Sequence, residues 1–250
     1  MEAIAIINMH YMYGDDSDWR GARLIWGADS PPGHGFSKIP APNQSSLQSV
    51  FNGSMELIKK IPFLPDLIVG HSAGAAVAVL ISEKIKAKNG VLCINAAFGE
   101  FPGLAGVMFP IFAKIIAVVP FSSDVLASFS RNKERTEKLI ANTGSKITQD
   151  SLNHYKELFS KPYHVKGTLK LMAEWNLSEF LKNLKNCTSS INFLVGNLDK
   201  TVPISVSKKW SQILPKTSYH EISGAGHLVH EEKPYEVSQI ILNHLQAIQK

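Results

Sequence analysis

Asp66-Leu67-Ile68-Val69-Gly70-His71-Ser72-Ala73-Gly74-Ala75-Ala76 is the stretch on which the rest of the chain is read. Asp66 to Val69 has the length and apolar composition of a buried strand, and Ala73 to Lys88 is rich in Ala and Val, as a buried helix is. Between them lies G-x-S-x-G, a pattern that chance supplies about once in ten chains of this length. Its position between a strand and a helix therefore carries the weight. A sharp strand–turn–helix places the Ser72 hydroxyl at the carboxyl edge of a sheet, and the small residues Gly70 and Gly74 let strand and helix approach closely. The start of a helix also favours negative charge on a reacting oxygen.

Outward from this turn, strand and helix signals alternate. Ala3 to Ile7, Arg23 to Ala28, Gly90 to Asn95, Ile191 to Val195 and Ser218 to Ile222 read as further strands. Ser45 to Lys60 carries Leu47, Val50, Met55 and Ile58 at helical spacing, and Pro234 to Gln249 closes the chain as an amphipathic helix. Pro31-Pro32-Gly33-His34-Gly35 is a turn. This alternation predicts an α/β fold with a mostly parallel sheet and helices on both faces. Between Glu100 and Lys185 the pattern changes to helices and turns, which predicts a core of residues 1–99 and 186–250 with a helical cap inserted at 100–185.

A serine hydroxyl is a weak nucleophile until a base takes its proton. The order expected on such a sheet is serine, acid, histidine. Asp199 stands in Gly196-Asn197-Leu198-Asp199-Lys200, just after one strand, and His227 in Gly224-Ala225-Gly226-His227, just after the next. Both turns fall on the same sheet edge as Ser72. His227 is the expected proton shuttle and Asp199 its orienting partner. His230, beside Glu231 and Glu232, is the alternative base and is expected at the surface. Asp124 is the alternative acid. His220 is expected within a strand, and His71 in a packing or hydrogen-bonding role.

The 250 residues suit one core domain with an insertion, and 44% hydrophobic against 19% charged residues excludes disorder. The net charge of +5 comes from 26 basic and 21 acidic side chains. Only Arg20, Arg23, Arg131 and Arg135 are arginines, and the lysines are scattered, so a nucleic-acid partner is not expected. Cys93 and Cys187 read as buried thiols in a reducing, cytoplasmic setting. The apolar stretch Phe101 to Pro120 is cut by Pro102, Pro110 and Pro120 and cannot span a bilayer, though it suits a membrane surface or an apolar ligand. No cluster of carboxylates suits a metal, and no cofactor is expected.

The three motifs resemble the α/β-hydrolase fold family. Further segments resemble one subgroup, the accessory proteins of magnesium chelatase in bacteriochlorophyll synthesis and hence photosynthesis. They are Pro32-Gly33-His34-Gly35-Phe36, Phe101-Pro102-Gly103-Leu104-Ala105-Gly106-Val107, Thr143-Gly144-Ser145, Glu174-Trp175-Asn176-Leu177, and Gly226 to Pro234. The resemblance implies a serine hydrolase acting on an ester, or a non-catalytic protein that binds a porphyrin or assists the chelatase subunits. It implies an oxyanion hole from the N–H groups of Ala73 and Met12, and a pocket near Tyr11, His71, Phe98 and Trp175. His10 aligns with the histidine of the family's His-Gly pair, and Tyr11 takes the glycine's place. The family's first hairpin is expected to be missing, and only nine residues separate Trp19 from Asp29. One sheet face is therefore expected to lack a covering helix, leaving apolar surface for peripheral membrane contact.

Overall fold

The computed structural model describes residues 3–8, 23–25, 45–60, 63–99, 122–130 and 132–246. Six strands, β1 (Ala3–Asn8), β2 (Arg23–Ile25), β3 (Leu67–His71), β4 (Val91–Ile94), β5 (Ile191–Gly196) and β6 (Tyr219–Ile222), form one sheet in the order β2-β1-β3-β4-β5-β6. Every pairing is parallel. Strands β3, β4 and β5 are buried along their whole length, so they read as unbroken apolar runs.

Alternate strand residues face opposite ways and build two cores. Ile68, Val91, Cys93, Ile191 and Phe193 pack with helices α1 (Leu47–Ile58) and α2 (Gly74–Ile85) on one face. Leu67, Val69, Leu92, Ile94, Leu194 and Ile222 pack on the other against Val237, Ile241 and Leu245 of the last helix. Ser46 opens α1 by accepting a hydrogen bond from the Ser49 N–H through its hydroxyl. The Trp210 indole anchors the helix after β5 to the first core by donating to the Phe98 carbonyl at 2.9 Å.

Between β4 and β5 the described residues are helical: α3 (Ser122–Ser130), α4 (Lys133–Asn142), α5 (Gln149–Phe159), α6 (Pro162–Glu174) and α7 (Ser178–Asn183), with a short 3-10 turn over Leu184–Asn186. After β5 come α8 (Ile204–Ile213), then β6, α9 (Val229–Glu232) and α10 (Pro234–Gln246). The sequence reading did not anticipate α8, where only Ser207 and Trp210 are buried. Cys93 is buried as expected, whereas Cys187 is only half-buried, because it sits at the end of the 3-10 turn; both are free thiols. Burial pushes the Cys93 thiol well up and the Cys187 thiol up less far. Among the described residues no helix is long and apolar enough to cross a membrane.

The strand order reverses at β1, with β2 on one side and β3 on the other. Ligands of open parallel sheets bind outside the carboxyl ends of the strands at such a reversal. Ser72 follows the last residue of β3 at that end.

Candidate active site

Ser72 holds φ at 53°, in the left-handed region that non-glycine residues rarely adopt, and it is half-buried. The turn is fixed from both sides. The Ser72 N–H donates to the Ile94 carbonyl at 2.9 Å, and the Ser72 carbonyl accepts from the N–H groups of Ala75 and Ala97. A Cβ on Gly70 would lie 2.6 Å from the Ala78 Cβ and 2.7 Å from the Ala75 Cα. The strand and α2 approach too closely there for any side chain, which explains the glycine of the motif.

Asp199 and His227 follow β5 and β6 and come together. His227 Nδ1 donates to Asp199 Oδ2 at 2.8 Å, with side-chain exposures of 6% and 1%. The other carboxylate oxygen, Oδ1, accepts from the N–H groups of Thr201 at 2.7 Å and Val202 at 2.9 Å. Asp199 is thus held by backbone on one side and by the imidazole on the other. Asp124 is exposed in the first turn of α3, and the place beside His227 Nδ1 is occupied by Asp199.

Two further side chains fix the histidine's backbone. His71 Nε2 donates to the His227 carbonyl at 2.9 Å. Because a carbonyl only accepts, Nε2 carries the proton. Asn95 Nδ2 donates to the same carbonyl at 2.6 Å and to that of Gly226 at 3.0 Å, while Asn95 Oδ1 accepts from the Gly196 N–H at 2.9 Å. Asn95 sits just beyond β4 at φ 44°, a conformation asparagine tolerates better than most residues, and it joins the ends of three strands' loops. Sequence reasoning missed it, because Asn95 reads there as the last residue of an apolar strand, and nothing local marks its contacts with the loops after β5 and β6.

Three imidazoles cluster here, tilted or edge-on to one another. The His71 ring lies 4.7 Å from that of His227 and 4.5 Å from that of His230. The expectation that His230 is a surface residue is corrected: it is 4% exposed, and among the described residues neither ring nitrogen has a hydrogen-bond partner. Burial, with the adjacent His227 adding to it, pushes His230 down to about 3. At neutral pH it is therefore an uncharged neighbour of Glu231 Oε1, 3.8 Å from its Nε2, and the two do not form an ion pair. Tyr155 Oη donates to that same Glu231 oxygen at 2.5 Å. Burial pushes Glu231 up to about 7; hydrogen bonds from Tyr155 and Ser151 oppose this, and the charge of Glu232 adds to it.

Of the expected pocket residues, Tyr11 lies outside the described residues, as does Met12 of the expected oxyanion hole. His71 and Phe98 lie at core positions. They are 2% and 1% exposed; His71 is turned to His227, and Phe98 packs edge-on to Phe180 and Phe193 at ring distances of 5.2 and 5.9 Å. Trp175, just after α6, is half-buried against the first core, and its indole N–H has no partner among the described residues. Ala73 directly precedes α2. His220 lies in β6 as expected, 3.3 Å from the Ser218 hydroxyl. Among the described residues no group of three His, Cys, Asp or Glu is arranged to hold a metal ion.

Comparison with known proteins agrees with this fold. The model of the alpha/beta hydrolase family matches residues 18–240. The chain is 34% identical over 216 residues to the magnesium-chelatase 30 kDa subunit of Rhodobacter capsulatus, covering 86% of this chain and 75% of that protein. Among solved structures, an alpha/beta hydrolase fold protein from Burkholderia ambifaria superposes with a TM-score of 0.72 at 14% identity, over 97% of this chain and 90% of that one. The bromoperoxidase of Bacillus anthracis gives 0.70 at 15% identity, over 98% and 92%. An esterase of Thermogutta terrifontis gives 0.65 at 16%, over 100% and 91%. These structures share the fold; the sequence matches establish kinship, and the chain belongs to the alpha/beta hydrolase family.

Proposed function

We propose that the protein is a serine hydrolase of the carboxylic-ester type, working through an acyl-enzyme. The observation that carries this reading is the 2.8 Å bond from His227 to Asp199 at the sheet edge where Ser72 is held at φ 53°. Ser72 Oγ attacks the ester carbonyl as His227 Nε2 takes the hydroxyl proton. The N–H groups of Ala73 and Met12 hold the oxyanion. His227 gives the proton to the leaving alcohol as the ester C–O bond breaks. Water then attacks the acyl carbonyl with His227 again taking the proton; as the bond from the acyl carbon to Ser72 Oγ breaks, His227 returns that proton to Oγ and the acid leaves. Asp199 keeps the imidazole in the Nδ1–H form and balances its charge once protonated.

In this reading residues 100–185 form a cap over a core of 1–99 and 186–250, and Trp175 and Tyr11 line the pocket beneath it. The free thiols support a reducing, cytoplasmic setting. With a chromogenic ester the expected result is a burst followed by slower turnover, both lost in Ser72→Ala. Turnover retained by Ser72→Ala overturns the reading.

The 34% identity to a protein named as a magnesium-chelatase subunit favours a second reading, a porphyrin-binding or chelatase-assisting role on the same fold. It predicts a Soret-band shift with protoporphyrin, or capture of chelatase subunits, that survives Ser72→Ala. Absence of both, with esterase turnover intact, removes it.

A further inference from the structure

The loops that carry Asp199 and His227 meet a third segment, the turn Thr143-Gly144-Ser145 between α4 and α5. The Thr143 carbonyl accepts from the Lys200 N–H at 3.1 Å and from the His227 N–H at 3.3 Å, so one oxygen is shared by both loops. The Ser145 hydroxyl accepts from the Leu228 N–H at 2.8 Å and is itself buried. Glu232 closes the arrangement: Oε1 accepts from the Gly226 N–H at 2.8 Å and Oε2 from the Lys146 N–H at 2.9 Å.

Packing leaves no slack at this junction. Gly144 holds φ at +84°, and a Cβ there would stand 2.0 Å from the Leu198 carbonyl oxygen. A Cβ on Gly226 would stand 2.3 Å from the Gly144 carbonyl carbon. Behind the turn, Ile140 of α4 and Leu152 and Tyr155 of α5 form a small apolar cluster with Leu228, separate from the two sheet-face cores. The turn is therefore attached to the histidine loop by hydrogen bonds, by backbone contact and by its own apolar cluster.

We propose that Thr143-Gly144-Ser145 is a positioning element of the Asp199–His227 pair, through which the helices between β4 and β5 set the distance between acid and base. The sheet fixes where each loop begins; the turn, together with Asn95 and the bond from the Leu198 N–H to the Ala225 carbonyl, fixes how the loops lie against each other. This deepens the hydrolase reading and rests on it for its catalytic consequence, although the positioning itself is measurable without turnover.

The test uses the full chain with Ser145→Ala, Ser145→Thr and Gly144→Ala. Three quantities are read: amide hydrogen exchange at Lys200, His227 and Leu228, the NMR resonance of the His227 Nδ1–H, and the rate of labelling by a fluorophosphonate probe. Ser145→Ala is expected to speed exchange at His227 and Leu228, shift the Nδ1–H resonance and slow labelling roughly tenfold, with Ser145→Thr restoring all three. Gly144→Ala, which displaces the Leu198 carbonyl, is expected to slow labelling by about 100-fold, the scale of a misplacement near 1 Å. If Gly144→Ala fails to fold, Ser145→Ala decides. Wild-type exchange and an unshifted Nδ1–H resonance in Ser145→Ala overturn the proposal. Changed exchange and a shifted resonance in a protein whose wild type is never labelled support the positioning role and reject the hydrolase reading instead.

Discussion

Replacing Glu231 with Gln is expected to make the protein progressively more stable than wild type as pH rises from below 4.5 to above 7. The Glu231 side chain is 4% exposed, receives the Tyr155 hydroxyl at 2.5 Å and titrates at about 7 when folded, against 4.5 for the free group. Between those values the folded state keeps a proton that the unfolded chain has lost. The contribution of the protonated carboxyl is thus fully present below pH 4.5 and is lost as pH rises through about 7. At about 1.4 kcal/mol per pH unit, the upper bound on the difference is about 3 kcal/mol. Gln copies the protonated form, since its carbonyl oxygen still accepts from Tyr155. His230 acts with the opposite sign: its stabilising neutrality is lost as pH falls from 6.5 towards about 3, but it is present in both proteins and cancels in the difference. Urea unfolding of both proteins across this range measures the effect. A stability difference that stays constant with pH, within about 0.5 kcal/mol, refutes the argument.

Asp199→Asn is expected to slow fluorophosphonate labelling by about 10⁴-fold while circular dichroism stays unchanged, because the amide no longer holds the Nδ1–H form of the imidazole; a wild-type rate contradicts this. Asn95→Ala orphans the Gly196 N–H and removes two bonds to the histidine loop, and is expected to cost roughly 2–4 kcal/mol in urea unfolding. A loss under about 0.5 kcal/mol would show that water replaces it. Gly70→Ala forces a methyl against Ala78 and Ala75 and is expected to cost about 1–3 kcal/mol, read as a lowered Tm, with an unchanged Tm counting against the close strand–helix approach.

Strands β3, β4 and β5 were legible because burial on both faces demands apolar residues throughout. The Ser72 and Asp199 turns were legible because they follow such strands, β3 and β5, whereas His227 follows β6, where only Ile222 is buried, and was legible from its Gly224-Ala225-Gly226-His227 turn. Helix α8 was not, since it fully buries only Trp210 and Ser207 and starts after Pro203 with no side-chain cap to mark its beginning. His230 was misread because two glutamates follow it, yet both carboxylates turn inward, Glu231 to Tyr155 and Glu232 to the Gly226 and Lys146 N–H groups. Asn95 and Thr143 act on backbone groups 131 and 84 residues away, respectively, and no local pattern encodes such a contact.

The most direct test of the central claim is fluorophosphonate labelling of the folded protein, followed by mass spectrometry of the labelled peptide. The account predicts a single covalent adduct on Ser72 that is absent in Ser72→Ala and strongly slowed when His227 is replaced by alanine. A folded wild-type protein that takes no label at neutral pH, or one that labels equally well without His227, contradicts it.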